Sequence, residues 1–272
     1  MQLADAKPVI QAQSLMKRFG SRVVMNRLSF EIYAGEVLVI LGPSGCGKST
    51  LLRCLIGLQP PDAGRASMLG TDIYGASPDV LDSVRRRIGV AFQDGALFGS
   101  MTLAENVEVP LSEFSNLPAS TRRILAMIKL GMVGLGEALD AYPAQISGGM
   151  RKRAAFARAM ALDPEVLFFD EPSAGLDPIT SAGLDQLLIR LNQVFQATLV
   201  VVTHELESAF AIADRIFLMD QGRIIASGDP AALKKTTLPA AQRFLNRQPG
   251  EHSAAQLMDA VIAKAAEGAD WR

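Results

Sequence analysis

The chain has 272 residues, a net charge of −1 and an apolar fraction of 49%. That length supports one substantial core with a smaller lobe, and the near-neutral charge excludes a general polyanion-binding surface, so no nucleic-acid partner is expected. No segment approaches the roughly eighteen uninterrupted apolar residues of a membrane span, and residues 1–7 hold no apolar signal core, so the sequence reads as cytoplasmic.

Residues 9–35 and 65–74 are expected to be β-rich, with Val23, Val24, Leu28, Phe30 and Ile32 spaced as strand residues and Gly20 and Gly35 as punctuation. The apolar run Val37–Leu41 predicts a buried strand and Thr50–Leu58 a helix. Between them stands Gly42-Pro43-Ser44-Gly45-Cys46-Gly47-Lys48-Ser49, a complete GxxxxGK[ST] loop. Its glycines let successive backbone N–H groups turn inward, and the following helix N-terminus favours negative charge, which suits a triphosphate. Cys46 and Cys54 are separated by about 12 Å of helical rise, too far for a disulfide. They suit a reducing compartment, with Cys46 either filling a variable loop position or acting as a thiol switch.

From Gln93 to Ser147 the pattern turns helical, and Pro118–Leu130 carries Ile124, Leu125 and Ile128 at helical spacing. Ser147 is a candidate N-cap ahead of Gly148 and Gly149. Val166–Phe169 predicts a strand that ends in Asp170 and Glu171. Beyond it, helices are expected over Pro178–Phe195 and Leu206–Ala213, with the strand Leu199–Thr203 between them delivering His204. Ile216–Met219 and Arg223–Ala226 read as a hairpin, and Asp229-Pro230 as a helix start. There is no internal repeat.

Ile146-Ser147-Gly148-Gly149-Met150 and the helix after it resemble the signature of the ATP-binding cassette (ABC) family. Gln93 matches the Q-loop, Val166–Glu171 the Walker B strand, Ser173–Asp177 the D-loop and His204 the H-loop, all in family order. The resemblance spans residues 8–245 and departs from the pattern at Met150, where the family usually carries Gln. It implies an α/β P-loop NTPase cassette with a RecA-like core sheet, an antiparallel β subdomain and a helical subdomain inserted at about 94–147. Residues 246–272 form a C-terminal extension, in which Ser253 caps an expected amphipathic helix with Ala254, Leu257, Met258, Val261, Ile262 and Ala265 on one stripe. That stripe covers its own domain, bridges to a second subunit, or stays disordered.

The same resemblance implies ATP and Mg²⁺ as ligands. Lys48 pairs with the β- and γ-phosphates; Ser49, Asp170 and Gln93 attend the metal; Thr50 adds a hydroxyl near the phosphates. Glu171 is the candidate general base and His204 the γ-phosphate contact. Phe19 either stacks on adenine or is a core residue. Ser147, Gly148, Gly149 and Asp177 complete the site of a second subunit, so the cassette is expected to be a homodimer.

Leu97, Phe98 and Met101, just after Gln93, either receive a coupling helix from a membrane permease or pack into the protein's own helical lobe. The run from Gln93 to Phe98, the SGGM ending and Gly-Leu-Asp-Pro-Ile-Thr look like the ATPases of Mla-type transporters. These move phospholipid with a permease and an Mce lipid-binding protein, on the cytoplasmic side of the inner membrane. The alternatives are an amino-acid or small-solute importer and, from another class, a non-transport ABC ATPase of DNA repair or translation.

Overall fold

A computed structural model describes residues 8–247. The expected C-terminal amphipathic segment lies outside them.

Two sheets organise the chain. β1 (Pro8–Phe19), β2 (Arg22–Tyr33), β4 (Ala63–Met68) and β5 (Thr71–Asp72) form an antiparallel sheet in the order β2-β1-β4-β5. The second sheet runs β10-β9-β3-β8-β7-β6, built from β3 (Val37–Leu41), β6 (Ile88–Ala91), β7 (Val166–Asp170), β8 (Thr198–Thr203), β9 (Arg215–Asp220) and β10 (Arg223–Gly228). Its strands are parallel except β10, which folds back on β9 as the expected hairpin.

β3, β7 and β8 are buried along their whole length and carry the apolar runs 37–41, 166–169 and 199–202, because helices or the other sheet cover both of their faces. Alternation along each strand divides its side chains between two cores. Leu38, Ile40, Val166, Phe168, Val200 and Val202 pack with α1 (Lys48–Leu55) and the antiparallel sheet. Val39, Leu41, Leu167, Phe169, Leu199 and Val201 face the opposite core. That core is supplied by α3 (Leu103–Phe114), α4 (Ala119–Met132), α5 (Gly148–Ala159), α6 (Pro178–Phe195) and α7 (Leu206–Ile212). Phe169 meets Phe156 of α5 edge-on, with ring centroids 4.6 Å apart.

The helix expected over Thr50–Leu58 starts two residues earlier and ends at Leu55, where Gly57 turns the chain at φ 76°. The α6 prediction holds to the residue, and α4 is displaced by one or two residues. Asp229 caps α8 (Pro230–Lys234) through Ala232 N–H. Two other helices, α2 (Pro78–Arg85) and α9 (Pro239–Leu245), begin with proline at their first helical position, a start signal that short helices show without a long apolar period. α3 has a capping box between Thr102 and Glu105 and tolerates Pro110 within it. Among the described residues no helix is long and apolar enough to cross a membrane.

Candidate functional site

The site forms where three parallel strands end side by side. Leu41 of β3 pairs with Thr203 of β8, and Asp170 of β7 pairs with Val202 of β8. The loops leaving these ends therefore share one edge of the sheet, the usual ligand edge of open α/β folds.

From β3 the chain enters the 42–49 loop, whose close packing requires glycine at two points. A Cβ at Gly42 would lie 2.2 Å from Met219 O, and one at Gly47 would lie 2.5 Å from Val24 O, with φ at 113°. The hairpin turn also clasps the loop, since Gly222 N–H donates to Cys46 O at 3.0 Å. Lys48 is buried and its Nζ donates to Gly42 O at 2.7 Å and Pro43 O at 3.1 Å, which holds the ammonium over the loop. Cys46 and Cys54 are free and buried, and burial raises both thiols, Cys54 to about 11. Neither is a reactive thiolate at neutral pH.

Asp170 and Glu171 sit together at the end of β7. Ser49 Oγ donates to Asp170 Oδ1 at 3.1 Å, and burial pushes the Asp170 carboxyl above its ordinary range despite that bond. Glu171 is also buried, with its backbone in the left-handed region at φ 49°. Its Oε2 lies 2.8 Å from His204 Nδ1 and its Oε1 lies 3.9 Å from Lys48 Nζ. Lys48, Ser49, Asp170, Glu171 and His204 are thus brought together. Thr50 follows on α1, half-buried.

The buried Asp170 carboxylate beside the Ser49 hydroxyl is a hard-oxygen pair that fits Mg²⁺. Among the described residues no group of three or more His, Cys, Asp or Glu could hold a metal. Gln93 is exposed two residues past β6, and no hydrogen bond ties it to Ser49 or Asp170.

Phe19 ends β1 at 51% exposure, which removes the core alternative. Its turn is fixed to the loop by Arg22, whose Nη2 donates to Gly45 O at 3.0 Å. Ser147 caps α5 by accepting from Met150 N–H at 3.2 Å, as its sequence position predicts. Gly149 packs on α6, where a Cβ would come within 2.8 Å of Thr180 Cγ2. Asp177 caps α6, accepting from Ile179 N–H, Thr180 N–H and Thr180 Oγ1, and the Thr180 bonds hold its carboxyl below the usual range. Residues 147–149 therefore lie against the start of α6.

The segment 95–101 divides. Leu97 packs against the core and Met101 is half-buried, whereas Phe98 is 49% exposed. Two residues missed by sequence reasoning shape this loop. Asn106 is fully buried, accepts Phe98 N–H at 2.7 Å and donates to three carbonyls, those of Phe98, Met101 and Thr102. Arg158 donates to Gly95 O and Ala96 O. An Asn one residue past a capping box was the available signal for the first; an Arg near the end of a basic helix offered none.

A family model described as ABC transporter matches residues 25–174. The chain is 43% identical over 237 residues to a Mycobacterium leprae protein named probable ribonucleotide transport ATP-binding protein mkl, covering 87% of this chain and 68% of that one. It spans 66% of the Mycobacterium tuberculosis counterpart, so about two thirds of these relatives' length. It is 40% identical over 227 residues to the Escherichia coli intermembrane phospholipid transport system ATP-binding protein MlaF, covering 84% of each. Among solved structures it resembles the dimeric bacterial ABC transporter cassette MJ0796 (TM-score 0.76, 31% identity, 81% of this chain and 98% of that one). The same cassette has been solved in a post-hydrolysis state bound to ADP and Pi, with a TM-score of 0.75 at 31% identity. With this loop, this pair of carboxylates and these likenesses, the chain belongs to the ABC transporter family, as an ATP-binding and ATP-hydrolysing cassette.

Proposed function

We propose that this cassette powers phospholipid movement between membranes, as a homodimer seated on a permease at the cytoplasmic face of the inner membrane together with an Mce-type lipid-binding protein. The observation that carries the reading is the joined Lys48–Glu171–His204 cluster in a chain alignable over 84% of its length to a phospholipid-transport ATPase.

Each residue has a role that its position supports. The 42–49 loop amides and Lys48 bind the β- and γ-phosphates, and Phe19 offers an exposed ring to adenine. Ser49 and Asp170, with Gln93, hold Mg²⁺, which when bound neutralises phosphate charge. Glu171 takes the proton of the attacking water. His204, with Nδ1 committed to Glu171, has Nε2 left for the γ-phosphate.

A second copy supplies the rest. Ser147 is exposed, and the residues around it pack on the start of α6 rather than over their own phosphate loop. Beside them Ile179 is 86% exposed, an apolar surface suited to burial between copies. ATP held between Lys48 of one copy and Ser147, Gly148 and Gly149 of the other ties the two together, and hydrolysis releases them.

The mycobacterial relatives carry a ribonucleotide-transport name, so a nucleotide cargo is the second reading. Reconstitution of the full complex in liposomes separates the two. ATP-dependent transfer of a labelled phospholipid, lost in Lys48→Ala, supports the proposal; ribonucleotide flux without lipid transfer overturns it.

A further inference from the structure

Lys152 lies on α5, five residues after the Ser147 cap, and no role in nucleotide binding falls to it. Its Nζ donates to the backbone carbonyl of Glu171 at 2.9 Å. That carbonyl belongs to a residue whose backbone is held in an uncommon conformation, φ 49° without being glycine. Such a conformation persists only where surrounding bonds over-determine it. Here they do: Glu171 N–H donates to Val202 O at 2.8 Å, and its carbonyl accepts from Lys152 and, at 3.3 Å, from Ala174 N–H. The side chain leaving this backbone reaches His204 and Lys48.

Lys152 is also placed among acidic neighbours of three site loops. Asp94, next to Gln93, and Glu205, next to His204, act on its ammonium electrostatically along with Glu171. Lys152 thus bonds to the Glu171 loop and is acted on by charges beside Gln93 and His204, while Arg158 of the same helix holds the carbonyls of Gly95 and Ala96.

We propose that Lys152 is a positioning residue that fixes the Glu171 backbone from the signature helix, and so couples the surface offered to a partner subunit's nucleotide to the hydrolytic carboxylate of its own subunit. The inference rests on the proposed role of Glu171. When α5 shifts on engagement of the partner's ATP, the Lys152 bond transmits the shift to the Glu171 carbonyl. The carboxylate then enters or leaves the geometry needed for water attack. Lysine suits the task because its ammonium reaches a carbonyl at the end of a flexible stem and donates without accepting.

The test uses the full-length chain and four variants: Lys152→Met, Lys152→Ala, Lys152→Arg and Glu171→Gln. Steady-state ATPase kinetics, equilibrium binding of a fluorescent ATP analogue and thermal unfolding are measured for each. Lys152→Met and Lys152→Ala should lose about ten- to a hundredfold in kcat, the scale of a small misplacement of a reacting group. Nucleotide affinity and the unfolding transition should stay close to wild type, and Lys152→Arg, which keeps a charged donor, should recover much of the rate. Wild-type kcat in Lys152→Met or Lys152→Ala overturns the inference. So does a parallel loss of folding, affinity and rate in both, because it makes Lys152 a stabilising residue only. If Glu171→Gln hydrolyses ATP normally, the underlying role of Glu171 fails; if it is inactive while the Lys152 variants are unaffected, only the coupling fails.

Discussion

His204 and Glu171 are bound twice over: the imidazole Nδ1 lies 2.8 Å from Glu171 Oε2, and the His204 amide donates to the same oxygen at 3.3 Å. One carboxylate oxygen is thereby occupied from the end of β8 while the other points towards Lys48. The two residues behave as one unit, so removing either should damage the same step. Glu171→Gln is expected to retain ATP binding and to lower kcat by about a hundredfold or more. His204→Ala should also lower kcat, and the double variant should be little worse than the more damaging single one. Multiplicative losses in that cycle would show that the residues act independently.

The loop after Gln93 yields a prediction that separates neighbouring residues. Phe98 is exposed and backed by Asn106, whereas Leu97 packs on the core. Phe98→Ser should leave the unfolding transition in place and reduce co-purification with the permease. Leu97→Ser should instead destabilise the fold by about 1–2 kcal/mol. A permease yield unaffected by Phe98→Ser would exclude this surface from docking.

Gly47 has a φ of 113° and leaves no room for a Cβ beside Val24 O. Gly47→Ala should therefore cost about 1–3 kcal/mol of stability through backbone strain and overpacking, and it should weaken ATP binding because the loop amides are displaced. Calorimetry and nucleotide titration check both. Unchanged ATP affinity would mean that the loop amides do not need this geometry.

Asp185 of α6 is buried and accepts the Ser208 hydroxyl of α7, and burial pushes its carboxyl above the ordinary value of 3.8. It lines a cavity of about 770 Å³ with His204 and Glu205. The folded state holds this proton more tightly than the unfolded chain does. Its contribution to stability is therefore fully present below the unfolded value and is lost as pH rises through the raised folded value. Asp185→Asn removes the titration and keeps an acceptor, so its melting temperature should gain on wild type as pH rises from about 4 to 8. A constant difference across that range would show that Asp185 titrates in the folded protein as it does in the unfolded chain.

The phosphate loop, the Asp170–Glu171 pair and the strands that carry them were legible because their physics is local. A five-residue apolar run such as Val37–Leu41 has to be covered on both faces, and the glycine pattern after it predicts a phosphate loop without knowledge of what packs beneath. Helix starts were equally local where a side chain caps them, as at Ser147 and Asp229. The tertiary structure alone decided that β8 lies between β3 and β7, and that order sets His204 against Glu171 and Glu171 beside Lys48. It also decided which apolar residues of the 95–101 loop are covered, and it placed Lys152 on the Glu171 carbonyl. Those contacts join residues distant in sequence, and they depend on strand order and helix packing, which periodicity and capping signals do not encode.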